Sequence, residues 1–140
     1  MITICDTGPL LAYLNRKDRY HAWAVTQMNQ VRPPLFVSEP VLTEVVYFLR
    51  EDGIPVDVLF QLLEREAIRV DFDVSAHWPR IRTLMARYAQ MDLADASVVV
   101  MSELHARSRV LTIDRRDFSV YRRNDRQVID FIAPPAKKHR

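Results

Sequence analysis

A chain of 140 residues with 49% hydrophobic content fills one core and needs no second domain. Its single cysteine, Cys5, excludes an internal disulfide, its apolar runs fall short of the roughly 18 residues of a membrane span, and it opens without a basic leader, so a soluble, cytoplasmic protein with no membrane partner is expected. The net charge of +2 divides unevenly, with 10 basic and 14 acidic residues over 1–103 (−4) against 10 and 4 over 104–140 (+6), the asymmetry that an acidic polymer such as nucleic acid exploits.

Ile2-Thr3-Ile4-Cys5 is a short β-branched run, read as a buried strand that delivers Asp6 at its C-terminal tip. Thr7 or Gly8 then caps a helix with Pro9 in its first turn, and a second helix is expected over Asp18–Gln30, with His21 a helix-face histidine. After Arg32-Pro33-Pro34, residues 35–38 form a second strand and lead into a helix whose first turn contains Glu39 and Pro40. On that helix Glu44 shares a face with Val41, Val45 and Phe48, so a carboxylate is set into an apolar stripe. A further amphipathic helix runs over Val56–Glu66, an edge strand over Ile68–Phe72, and a helix over Ser75–Gln90 with Trp78, Ile81, Leu84, Met85 and Tyr88 on its apolar side.

The most informative stretch is Met91-Asp92-Leu93-Ala94-Asp95-Ala96-Ser97, which opens a helix reaching about Ala106. Asp92, Asp95, Val98, Val99 and Ser102 share one face. Asp92 suits the N-cap, whereas Asp95 on an apolar stripe needs a hydrogen bond, a cation or a metal. Arg109–Ile113 is a fourth strand that again delivers an aspartate, Asp114, and Val128–Ile132 is a last one. Residues 1–133 are thus read as a single domain and 134–140 as a basic, disordered tail. Two glycines are too few for a dinucleotide-binding loop.

Alternating strands and helices imply a parallel sheet, with ligands gathered where strand C-termini meet at a change of direction. If the strands ending at Asp6 and Asp114 are neighbours, Glu44 and Asp95 enter from helices at the same edge and four acids converge. Each pair of like charges about 5 Å apart repels by about 3 kcal/mol, so such a cluster calls for protons or cations. Oxygen-only ligation points to Mg²⁺ or Mn²⁺, and carboxylate-held divalent ions activate water for phosphodiester cleavage.

The segments Ile4-Cys5-Asp6-Thr7, Thr43-Glu44-Val45, Asp92-Leu93-Ala94-Asp95-Ala96-Ser97 and Leu111-Thr112-Ile113-Asp114-Arg115-Arg116-Asp117-Phe118 together resemble a PIN-domain ribonuclease, with the VapC-like toxins of toxin-antitoxin pairs the nearest type. The resemblance implies a three-layer α/β/α fold with a central parallel sheet and metal-dependent endonucleolytic cleavage of RNA. It carries Asp6, Glu44, Asp95 and Asp114 over as the catalytic, metal-binding acids, with Asp92, Asp117, Thr7 and Thr112 as accessory residues. It also implies a homodimer and a cognate antitoxin protein that covers the site. Gly8 departs from the serine that many relatives place after the aspartate-threonine pair. Arg115, Arg116, Arg122 and Arg123, close after Asp114, are expected to bind RNA phosphates.

Three rivals stand beside this reading. Asp6-Thr7-Gly8 spells the aspartic-protease triplet, but only one copy is present in a largely helical chain. A receiver-like phospho-acceptor domain needs a lysine near the pocket, and Lys17, Lys137 and Lys138 are at no strand tip. A non-catalytic interaction module would use the acids to cap helices or pair with arginines.

Overall fold

Parallel strands need crossover connections of about a dozen residues or more, and the helical segments between the short apolar strands of this chain supply them. The computed structural model describes residues 1–136. In chain order the elements are β1 (Ile2–Cys5), α1 (Thr7–Leu14), α2 (His21–Gln30), β2 (Leu35–Val37), α3 (Glu39–Glu51), α4 (Asp57–Glu64), β3 (Ile68–Val70), α5 (Val74–Arg87), α6 (Leu93–Leu104), β4 (Ser108–Leu111), α7 (Arg115–Val120), β5 (Arg122–Arg123), β6 (Gln127–Val128) and β7 (Phe131–Ile132). Five of the strands form one sheet in the order β3-β2-β1-β4-β7, parallel throughout and flanked by helices. The α/β architecture with a central parallel sheet is therefore the one expected.

The central strand β1 is buried over Thr3–Cys5, as a strand covered on both faces must be. The three consecutive valines lie in α6, the helix expected there, and Ala96 to Ser102 are all buried. A helix apolar nearly all round has to lie inside the fold, and α6 packs on α5, α3, β1 and β4. Side chains cap four helices: Ser38 accepts from the Val41 amide (3.3 Å), Asp73 from Ser75 (2.9 Å), Asp92 from Asp95 (2.8 Å) and Asp114 from Asp117 (2.9 Å). Each such cap stabilises by about 1 kcal/mol.

Several boundaries differ from expectation for local reasons. The second helix begins at His21 rather than Asp18, because Asp18 forms a turn, its carboxylate accepting from the Tyr20 amide (2.8 Å) and its carbonyl from that of His21 (3.0 Å). The larger correction is at the C-terminal end, where the single strand expected over Val128–Ile132 divides. Val128 pairs antiparallel with Arg122 in a hairpin, while only Phe131–Ile132 joins the sheet, beside β4. The hairpin turns through Asn124 and Asp125, both with positive φ (51° and 64°), a conformation those two residues tolerate. Asp125 anchors it to α5 through Arg80 and Arg87, each at 3.0 Å. The helix α7 was also not foreseen. Of the tail expected from 134, Pro134 is buried, with its carbonyl held by Arg115 (3.2 Å), and residues 137–140 lie outside the described residues.

No helix among the described residues is long and apolar enough to cross a membrane. Cys5 is buried and free.

Candidate active site

The chain leaves β1 toward β2 and β3, then returns to the other side of β1 as β4, so the direction of winding reverses between β1 and β4. A crevice opens at the C-terminal ends of strands at such a point. Cys5 is in register with Leu111, and the Asp6 amide donates to the Leu111 carbonyl at 2.9 Å, which sets Asp6 and Thr112 side by side. Glu44 comes from α3, Asp92 from the N-cap and Asp95 from the first turn of α6, and Asp114 from the N-cap and Asp117 from the first turn of α7.

Hydroxyls hold three of these acids. Thr112 Oγ1 donates to Asp6 Oδ2 (2.9 Å), Thr7 Oγ1 to Glu44 Oε1 (2.6 Å), and the Tyr121 hydroxyl to Asp95 Oδ2 (2.9 Å). The two threonines expected as accessory residues thus each meet an acid. Thr112 also accepts from the Asp114 amide at 3.0 Å, tying the β4 tip to the loop beyond it.

Electrostatically the group is strained. Asp6 is only 7% exposed, and burial, with the charges of Glu44 and Asp92, raises its pKa from 3.8 to about 6 against the opposing bonds from the Thr7 amide and the Thr112 hydroxyl. Burial raises that of Asp95 to about 7, with Asp6 and Asp92 adding repulsion and Tyr121 opposing it. Glu44 is raised by burial and by Asp92, and Asp117 by burial and by Asp114. Burial and Asp95 raise Tyr121 in turn, so its hydroxyl stays protonated and donates.

Asp92, expected as an accessory acid, thus repels Asp6, Glu44, Asp95 and Asp117 alike while it caps α6. Asp114 has a structural duty as well, since its carboxylate caps α7. Gly8 has a steric reason: a Cβ there would lie 2.3 Å from Ile113 Cγ1, so the isoleucine fills the space that a serine side chain needs.

The four arginines expected to bind RNA phosphates differ in what they hold. Arg115 donates to the carbonyls of Ala133 and Pro134 (3.3 and 3.2 Å) and stacks on Phe131. Arg122 Nη1 meets the carbonyls of Ser119, Val120 and Tyr121 at 2.8–3.2 Å, closing the C-terminus of α7. Arg123 Nη2 donates to the Ser102 carbonyl (2.7 Å) at the end of α6. These three guanidinium groups, expected on RNA phosphates, are used to hold backbone carbonyls. Arg116 alone of the four is exposed without such a bond, and with Gln90, Asp114, Asp117 and Val120 it lines a cleft of ≈ 600 Å³. Tyr121 is the residue sequence reasoning missed. The need of Asp95 for a partner was legible, but nothing local marks a tyrosine 26 residues away as the one that meets it.

The donor chemistry fits a hard divalent cation. Six acids offer carboxylate oxygen without thiolate or imidazole, and among the described residues none of them pairs with lysine, arginine or histidine. Arg116 offsets part of the repulsion at Asp117, and the remaining like charges are otherwise costly. Among the described residues no three His, Cys, Asp or Glu side chains are already arranged as a metal cage; Asp6, Glu44 and Asp95 rest against hydroxyls instead.

Comparison with known families matches residues 3–124 to the PIN domain. No curated protein matches the chain.

Proposed function

The chain belongs to the PIN domain family, whose members are typically nucleases, and on that premise we propose that it is a metal-dependent endoribonuclease, the toxin of a toxin-antitoxin pair. The observation that carries this reading is the set of mutually repelling acids at the β1/β4 crevice, two of them raised to about 6 and about 7, none of them in an ion pair among the described residues. Asp6, Glu44 and Asp95 would hold Mg²⁺ or Mn²⁺, with Asp92 and Asp114 beside them. Such an ion, when bound, polarises the scissile phosphate and lowers the pKa of water. Thr112 and Thr7 keep Asp6 and Glu44 oriented, and Tyr121 holds Oδ2 of Asp95. Arg116, at the rim with Gln90 and Val120, is placed to meet a phosphate of the RNA.

On the same reading a cognate antitoxin covers the site of a cytoplasmic homodimer. Support for a protein partner comes from Tyr47 and Phe48, 58% and 44% exposed, on the turn of α3 after Glu44. The receiver-like alternative lacks its lysine among the described residues, since Lys17 lies in the loop after α1.

The test is cleavage by the purified protein of single-stranded RNA and of the same sequence as DNA, with Mg²⁺, Mn²⁺ or excess EDTA. RNA cleavage that needs the metal is expected, and full activity in EDTA refutes the reading. Induced expression should arrest growth and co-expression of the cognate antitoxin relieve it; no arrest would leave a nuclease that is not a toxin.

A further inference from the structure

We infer, on the basis of the metal-dependent reading above, that Tyr121 is a positioning residue, whose hydroxyl fixes the Asp95 carboxylate so that Oδ2 is engaged and Oδ1 is presented to the site. The bond is 2.9 Å from a neutral hydroxyl to a carboxylate, the charge-assisted kind that is stronger and more directional than a neutral hydrogen bond.

The tyrosine itself has no freedom to follow a moving carboxylate. Its ring is fully buried, edge-on to Tyr88 (5.1 Å, 67°) and to Phe118 (5.3 Å, 79°). Its backbone is held too: the Tyr121 amide donates to the Asp117 carbonyl at 3.0 Å, and Arg122 grips the carbonyl of Tyr121 and those of the two residues before it. Among the described residues no salt bridge reaches Asp95, and Tyr121 is the side chain that steadies its carboxylate, beside the backbone amide of Asp92 at the helix entrance. The short helix α7 therefore bears on the site at both ends. Asp114 is its N-cap and Tyr121 its C-cap, so an acid from the β4 tip and an acid on α6 are referred to one rigid piece.

Tyr88 supplies a matched control. It belongs to the same aromatic cluster and its hydroxyl accepts from the Arg122 amide (3.2 Å), a contact that involves no site acid. Tyr121→Phe and Tyr88→Phe each delete one hydroxyl from the same packed core, and only the first touches Asp95.

The experiment measures Mn²⁺ affinity by calorimetry, and kcat and KM for RNA cleavage, on wild type and both variants. Groups that orient a metal-binding side chain typically account for about 10- to 100-fold in affinity or activity. Tyr121→Phe is accordingly expected to weaken Mn²⁺ binding and lower kcat within that range while KM for RNA holds, and Tyr88→Phe to leave all three unchanged. A second measurement covers the case in which Tyr121→Phe does not fold. Wild type grown with fluorotyrosine should show the fluorine resonance of Tyr121 shifting when Mg²⁺ is added, and a resonance that stays in place overturns the inference. If wild type binds Mn²⁺ and cleaves RNA but Tyr121→Phe equals it, or Tyr88→Phe is impaired as much, the inference alone falls. If wild type does neither, the proposed function falls and the inference with it.

Discussion

Asp95→Asn should make the metal-free protein more stable at pH 8 while abolishing RNA cleavage. The carboxyl of Asp95 has a pKa of about 7 in the folded protein against an ordinary 3.8, so the folded state holds its proton more tightly than the unfolded chain. Its contribution to stability is then full below about pH 4 and is lost as pH rises through 7. At about 1.4 kcal/mol per tenfold change in proton affinity, the ionised group costs about 4 kcal/mol, and partial exposure to solvent and salt reduces that to about 2. The net gain is about 2 kcal/mol, or about 6 °C in Tm, in EDTA at pH 8, and it vanishes near pH 4. No cap is lost, because Asp92 caps α6, and no ion pair is lost, because none involves Asp95 among the described residues. Thermal melts of both proteins in EDTA at pH 4 and pH 8, with cleavage assays in Mn²⁺, test the point. A variant clearly less stable at pH 8 that still cleaves RNA would show Asp95 to be a structural acid.

Arg116→Ala should weaken RNA binding and reduce its dependence on log salt by about one counterion with Tm unchanged, whereas Arg122→Ala should cost about 1–2 kcal/mol of stability by releasing the α7 carbonyls. Salt-dependent binding and melting curves separate the two roles. Gly8→Ala should destabilise by about 1–3 kcal/mol, because its Cβ meets Ile113, and Ile113→Ala in the same chain should recover most of the loss in denaturant titrations. Mn²⁺ at about 100 times its Kd should stabilise wild type by about 2.7 kcal/mol, a shift that Asp6→Asn should largely remove in thermal melts.

The parts of the fold legible in the residues are those set by local periodicity. Ile2–Cys5 reads as a buried strand because its side chains are apolar or β-branched throughout, and that placed Asp6 at its tip. The fourth strand was legible from the same pattern, although it ends at Leu111 rather than Ile113, so that Asp114 caps α7 just beyond it, and Asp92 as an N-cap followed from its position before an apolar helix. What lay beyond reach was decided by distant contacts. The arginines at 115, 122 and 123 look like a basic patch in one dimension, but the carbonyls they satisfy belong to 133–134, 119–121 and 102. Val128 alternates into Ile132 as one strand would, yet the turn at Asn124 and Asp125 folds it back onto Arg122 before the sheet begins. The partner of Asp95 was hidden for the same reason, since Tyr121 reaches it only once α7 has formed.

The most direct test of whether these acids form the metal site is the number of protons released when Mn²⁺ binds, measured by calorimetry in two buffers of different ionisation enthalpy. With Asp6 at about 6 and Asp95 at about 7, both carboxyls are partly protonated at pH 6.5 in the metal-free protein, and ligation requires them ionised. Close to one proton should leave per Mn²⁺ at pH 6.5 and almost none at pH 8.5, with the release reduced in Asp95→Asn. Mn²⁺ binding that releases no proton at pH 6.5, or that is as tight in Asp6→Asn and Asp95→Asn as in wild type, would place the metal elsewhere and contradict the account.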